Sequence, residues 1–283
     1  MGECIHGFDD GLCAICFPPK APEPPAVAPA KARATPRAAS RTTSTTGPAA
    51  RARATRTPAR GSRLSDAPAV DPAKLRVYHL THLDNLARIL GAGAVLADAG
   101  DPPAAPVVDI AAPAARDYRR AATVEDAETT LAGYVPFFLS VDAHFWVAIR
   151  DGEADPRLAP PAAGEPRAAA DFVLLVSSAG QALGARAGLE GQVVAATSDA
   201  SLPGAELAVG WYEAERVLRR MAVDDDGLAA GEFLVKDDVP LERIQLIAVA
   251  NDRVRDRVRA ALSAVGAKTR VAVYPPWFQA SEA

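Results

Sequence analysis

The sequence has little cysteine: three residues in 283, Cys4, Cys13 and Cys16, all within the first 16 positions. An odd number crowded at one end is no disulfide framework, so the thiols are expected to stay reduced. No run of 18 apolar residues occurs, which argues against a membrane-spanning helix. The opening, Met1-Gly2-Glu3-Cys4-Ile5-His6, lacks the basic start and apolar core of a signal peptide. A cytoplasmic protein without membrane contact is expected. Residues 17–70 lack large apolar side chains almost entirely and are made of Pro, Ala, Arg, Ser and Thr. Such a stretch cannot offset the entropy of ordering its backbone, so a disordered linker is expected there. Beyond it, residues 71–283 contain no cysteine and only three histidines, His79, His82 and His144. Nor do they hold a glycine-rich phosphate loop of Walker or Rossmann type or a G-x-S-x-G nucleophile turn. Thiol enzymes, zinc hydrolases and dehydrogenases are thereby disfavoured.

The charge that is present is unevenly placed. The net charge of -4 combines an acidic head, a basic linker with ten Lys or Arg against Glu23 and Asp66, and an acidic body. The linker arginines suit two roles equally well, attraction of phosphates without sequence readout or a soluble spacer. In the head, Cys4, His6, Cys13 and Cys16 offer four soft ligands, and a C-x2-C knuckle suits one edge of a zinc tetrahedron. A structural zinc would order a segment too short for a core of its own. The alternative is three unrelated thiols.

From Leu75 on, the pattern becomes that of a folded domain. Leu75–Leu80 reads as a strand, and Thr81-His82-Leu83-Asp84 as a capping box opening a helix that Gly91 or Gly93 ends. Further short apolar runs around Val135–Leu139, Phe172–Val176, Phe233–Val235, Ile244–Val249 and Val271–Tyr274 read as strands. Helical spacing appears around Ala143–Ile149, Trp211–Met221 and Arg253–Val265. Without regular βαβ alternation the expected class is α+β. Three parts follow: a zinc-binding head at 1–16, a basic linker at 17–70 and a mixed domain at 71–283.

Three motifs within that domain carry a resemblance. They are Tyr78-His79-Leu80-Thr81-His82-Leu83-Asp84-Asn85-Leu86, then Tyr134-Val135-Pro136-Phe137-Phe138, then Glu232-Phe233-Leu234-Val235. In this order they resemble the DarT family, toxins with an ADP-ribosyltransferase fold that move ADP-ribose from NAD to a base of single-stranded DNA. The resemblance implies Glu232 as the catalytic glutamate. A carboxylate there would stabilise oxocarbenium character as nicotinamide leaves, and would help remove a proton from the acceptor. It implies a catalytic arginine in the loop after the first helix, with Arg119 the best alignment and Arg116 and Arg120 close rivals. It further places His79, Leu80, Thr81, Leu96, Arg119 and Tyr134 at the NAD. Alternate strand positions put His79 and Thr81 on one face and His82 away from it. Tyr134 and Phe137 are candidates for an aromatic wall, Phe137 equally for the core. Single-stranded DNA and a macrodomain-containing antitoxin are the implied partners.

The chain departs from the family at Thr197-Ser198-Asp199-Ala200, where Ala200 stands in place of a histidine on the acceptor side. Two rival readings therefore stay open: the same fold acting on RNA, protein or water, and a non-catalytic, zinc-headed nucleic-acid-binding adaptor.

Overall fold

The computed structural model describes residues 70–99, 106–125, 127–161 and 167–280. The expected zinc ligands Cys4, His6, Cys13 and Cys16, and all of the linker but residue 70, lie outside the described residues.

The β-branched and apolar runs pair as strands: β1 (Arg76–His82), β2 (Ala94–Leu96), β3 (Thr123–Val124), β4 (Thr129–Thr130), β5 (Tyr134–Phe138), β6 (Phe172–Ser178), β7 (Val193–Ala196), β8 (Leu207–Val209), β9 (Glu232–Lys236), β10 (Asp238–Pro240), β11 (Leu246–Val249) and β12 (Arg270–Val273). The helices are α1 (Leu86–Ala92), α2 (Pro113–Ala121), α3 (His144–Asp151), α4 (Ala179–Leu183), α5 (Trp211–Met221), α6 (Asp225–Ala230) and α7 (Asp252–Ala264). Eight strands form one sheet in the order β12-β11-β6-β1-β5-β9-β7-β8. Every neighbouring pair is antiparallel except β11 with β12. Crossovers of this kind, with helices packed on a mixed sheet, bear out the α+β expectation.

Burial explains the layers. Ala214, Val217, Leu218 and Met221 make the buried stripe of α5, and Val254, Val258 and Leu262 that of α7. Both stripes join Val77, Val135, Phe137, Phe233 and Val235 in the main core. A second core lies around Trp146, whose indole N–H donates to the Trp277 carbonyl at 2.8 Å while its ring packs edge-on against Phe172 and Phe278. This contact fastens the C-terminal 3-10 turn Pro275–Phe278 to α3.

The sheet is weakest at its middle. β1 pairs with β6 over seven positions, from Arg76↔Ser178 to His82↔Phe172, but with β5 only at Tyr78↔Phe138. Past that pair the ladder meets Pro136, which has no amide to donate. The Pro136 carbonyl is taken instead by the Nδ1 of His79, at 2.9 Å. A cleft opens where the pairing stops.

Two local expectations are corrected. The residue capping the turn after β1 is His82, whose Nδ1 accepts from the Asp84 amide at 3.2 Å, rather than Thr81. Thr81 is buried and accepts from the Asn85 side chain instead. The segment holding Arg116, Arg119 and Arg120 is a helix, α2, entered at Pro113 and not a loop. Proline at the first helical position loses no intrahelical bond. Of the two glycines proposed to end α1, Gly93 does so, with φ of 70°.

Candidate active site

The cleft has a volume of about 290 Å³. His79, Leu80, Thr81, Leu96, Arg119, Tyr134 and Glu232, drawn from β1, β2, α2, β5 and β9, all line it. Residues up to 153 positions apart in sequence thus converge on one concavity, which is where a small-molecule site is expected.

Glu232 begins β9 and is 4% exposed. Gly231 before it admits close packing, because a Cβ there would sit 1.9 Å from the Met221 methyl and 3.0 Å from the Ala196 carbonyl. Glu232 Oε2 accepts from the Ala200 amide at 3.2 Å and from Arg119 Nη1 at 3.4 Å. Both contacts fall on one oxygen, Oε2. Burial, with help from the Asp199 charge, pushes the Glu232 carboxyl up to about 7 against the pull of Arg119, the Ala200 amide and Arg157. A carboxyl poised near neutrality is suited to exchange a proton at physiological pH.

The three candidate arginines separate cleanly. Arg116 also lines the cleft and has a buried Nε without a partner, but its guanidinium pairs with Asp98 and, at 2.6 Å, with Asp109, joining the two ends of the segment between β2 and α2. Arg120 is 55% exposed and lies 3.9 Å from Asp117. Arg119 faces the cleft, and its Nη2 is buried with no hydrogen-bond partner. An unmet guanidinium N–H beside an acidic group suits an anionic ligand such as a diphosphate.

His79 is held in one state. Burial, followed by the Arg119 charge, keeps its ring below the usual histidine range against the lift of its Pro136 bond, so it is neutral at pH 7. A carbonyl only accepts, so Nδ1 carries the proton and Nε2 is left as an acceptor. That nitrogen suits a ribose hydroxyl. Asn85 fixes the neighbouring wall by a reciprocal pair with the Val108 backbone, donating at 2.9 Å and accepting at 2.8 Å.

The aromatic residues fall out by strand alternation. Phe137 is fully buried in the main core, while Pro136 and Phe138 line the cleft, joined by Phe145 of α3. Tyr134 lines it as well, but its hydroxyl donates to the Gly191 carbonyl at 2.7 Å and is 1% exposed as a residue. Burial and then the Asp237 charge raise its phenol to about 12, so it stays protonated at neutral pH.

Sequence reasoning missed Arg157. It lines the cleft and donates to Asp199 at 2.8 Å and to Asp155 at 2.7 Å, with its guanidinium carbon 5.2 Å from the centre of the Phe145 ring. Nothing in its local sequence, a proline- and alanine-rich stretch, marks it. Phe138 was within reach, since it stands one residue beyond Phe137 on the same strand. Among the described residues no cluster of His, Cys, Asp or Glu is arranged for a metal ion, and no helix is long and apolar enough to cross a membrane.

The central cleft of this mixed fold thus holds a buried glutamate opposite an arginine, with a neutral histidine beside them. The DarT family model, described as that of the ssDNA thymidine ADP-ribosyltransferase, matches residues 78–206 and 225–279. The chain belongs to the DarT family. DarT from Thermus sp. 2.9 in complex with ADP-ribosylated ssDNA is similar, with 28% identity, a TM-score of 0.57, and coverage of 73% of this chain and 97% of that one. The Thermus structure in complex with NAD+ has 25% identity and a TM-score of 0.56 over 74% of this chain and all of that one. The fold is also that of Thermosipho africanus DarTG in complex with ADP-ribose, at 14% identity and a TM-score of 0.50, covering 72% of this chain and 50% of that one. No curated protein sequence matches the chain.

Proposed function

We propose that the protein transfers one ADP-ribose from NAD to thymidine in single-stranded DNA, with Glu232 and Arg119 as the catalytic pair. The observation that carries this is the meeting of the two side chains across the cleft, 113 residues apart in sequence, with one nitrogen of Arg119 left for a substrate. Arg119 would hold the NAD diphosphate, and His79 Nε2 a ribose hydroxyl. Leu80, Thr81, Leu96 and Tyr134 would supply the walls that exclude water. As the bond from the ribose C1 to nicotinamide breaks, its electron pair leaves with nicotinamide. The Glu232 carboxylate, hydrogen-bonded to the ribose, would stabilise the positive charge left on the sugar. The acceptor base then bonds to C1 and releases its proton, which ionised Glu232 accepts.

Ala200 lacks the family histidine's side chain but still has a contact in the site. It contributes through its backbone amide, a donor that any residue there would supply. Membership of a family whose model is described as that of the ssDNA thymidine ADP-ribosyltransferase favours DNA over the rival acceptors, RNA, protein and water, and the pairing of Glu232 with Arg119 in the cleft disfavours the inactive adaptor.

Mass spectrometry of mixed single-stranded oligonucleotides incubated with NAD tests the reading. The expected result is a mass increase of one ADP-ribose on thymidine-containing strands, absent with Glu232→Ala. Nicotinamide release without DNA modification would move the acceptor elsewhere, and neither product would leave the adaptor.

The same reading makes the protein a cytoplasmic toxin, with a macrodomain-containing antitoxin that removes the mark. Growth arrest on expression, relieved by such a partner, is the expected result. We further propose a zinc-binding head at 1–16, a basic linker at 17–70 that brings DNA phosphates to the acidic domain at 71–283, and one zinc held by Cys4, His6, Cys13 and Cys16. Elemental analysis should give one zinc per chain, lost in Cys13→Ser; a metal-free purified protein would refute it.

A further inference from the structure

Glu232 and Arg119 sit on elements that do not touch through the sheet. β9 is a central strand, whereas α2 hangs on the segment between β2 and β3. Something must fix their separation, and residues 155–159 run between them. The Arg157 carbonyl accepts the amide of Ala112, the residue that caps α2, at 2.7 Å. On either side, Ala111 bridges to Leu158, and the Ala159 amide donates to the Ile110 carbonyl at 3.0 Å. The backbone of this strap therefore holds the start of the helix that carries Arg119.

Its side chain holds the other half. Arg157 is 12% exposed and donates from Nη1 to Asp199 Oδ2 at 2.8 Å. Asp199, buried, spends Oδ1 on the Ser201 amide at 2.7 Å and on the Ser201 hydroxyl. These bonds define the turn in which the next residue, Ala200, presents its amide to Glu232 at 3.2 Å. Asp155 takes the remaining face of the guanidinium, and Phe145 supports it from below. One residue thus grips α2 through its carbonyl and the Ala200 turn through its guanidinium.

We propose that Arg157 is a positioning residue for ADP-ribosyl transfer, setting the spacing of Glu232 and Arg119 by tying the Ala200 turn to the start of α2. The inference rests on the assignment of those two residues above. Arg157 also neutralises Asp199, the buried carboxylate whose charge opposes ionisation of Glu232. The groups facing Glu232 are Arg119 from α2, Asp199 and the Ala200 amide from the turn after β7, and Arg157 from the strap; His79 of β1 faces Arg119.

Arg157→Met is expected to lower kcat by about 10²-fold, the scale of an ångström of misplacement, with little change in the KM for NAD. It should also move the acidic limb of the rate profile up by about one pH unit, because the Asp199 charge is left uncompensated. In an Asp199→Asn background the same substitution should cost only a few-fold, the mark of two residues acting as one. Arg157→Lys keeps a charge on Asp199 and is expected to hold the limb in place while losing kcat several-fold. If Arg157→Met does not fold, the lysine variant and the double variant, which removes both charges together, carry the same comparison. Additive losses in kcat, or a limb that ignores the charge at 157, would overturn the proposal. Glu232→Gln, run alongside, separates the failures. Activity there sinks the Glu232 assignment, whereas inactivity with additive losses at 157 and 199 sinks only the role of Arg157.

Discussion

Glu232→Gln is expected to lower ADP-ribosyl transfer by about 10²–10⁴-fold while making the protein more stable than the wild type at pH 8. The loss follows from the proton: glutamine keeps the shape and the contacts of Oε2 but cannot take a proton from the acceptor base. The gain follows from burial. The Glu232 carboxyl stands at about 7 in the fold against 4.5 as its ordinary value. A folded state that binds a proton more tightly than the unfolded chain loses stability as pH rises between those two values. Above pH 7 the fold therefore carries a penalty on the order of 1–3 kcal/mol for holding the charge, and below pH 4.5 carries none. Glutamine removes that penalty at pH 8 and changes little at pH 4.5. Urea denaturation at both pH values reads the difference, and equal stabilities at pH 8 would show that Glu232 is not strained by its surroundings. The wild-type rate should rise with pH through about 7 as the carboxyl ionises. His79 is neutral already in that range, so it adds no opposing limb there.

This price in stability sets the site apart from the core around it. Phe233, Leu234 and Val235 follow Glu232 on the same strand and are fully buried apolar residues. A valine or leucine at 232 would fit that run better, so a charged residue opening it reflects chemistry rather than folding.

How legible the molecule was depends on whether the signal is local. β6 was plain, since Phe172–Val176 is a run of β-branched and apolar residues buried on both faces. α5 and α7 were plain from their stripes. β2, β7 and β8 were missed: they are three or four residues of mostly alanine, valine and leucine, and sheet partners rather than propensity make them strands. The loop placement of the α2 segment came with the resemblance, and its own sequence, Pro-Ala-Ala-Arg-Asp-Tyr-Arg-Arg-Ala, buries no residue fully and offers no apolar stripe to correct it. In the site, Glu232 and His79 stand out in the sequence only through the three motifs taken together, and Arg119 only through a looser alignment that left Arg116 and Arg120 as rivals. Arg157 was not, because its role rests on Asp199, 42 positions on, and on a backbone bond to Ala112 that any residue could make. The Thr81 capping box was a fair local inference that tertiary structure overrode: Asn85 engages the Thr81 hydroxyl, so the cap passed to His82.

Substitution of the three neighbouring arginines should resolve them into three different jobs. Arg119→Ala is expected to lower transfer by about 10²–10³-fold, the scale of losing one preorganised donor to developing charge. The loss should fall on kcat and on NAD affinity together, since Arg119 meets both the glutamate and the substrate. Arg119→Lys should recover little of it, because a point charge cannot reproduce a guanidinium that bonds Glu232 through Nη1 while offering Nη2 to the cleft. Arg116→Met should instead lower stability, by about 1–2 kcal/mol, because it strands Asp98 and Asp109, two partly solvated carboxylates, without their shared partner. Arg120→Ala should change neither quantity measurably, since its one ion pair is exposed and long. Nicotinamide release gives the rates, urea denaturation the stabilities. Full activity in Arg119→Ala, with the loss appearing in Arg120→Ala, would shift the assignment by one residue along α2 and turn the helix by about 100° relative to the cleft. The partnerless Nη2 of Arg119 argues against that rotation: an α-helix that pointed Arg120 inward would bring the exposed Asp117 side toward Glu232, setting two carboxylates against each other where the fold now sets an arginine against one.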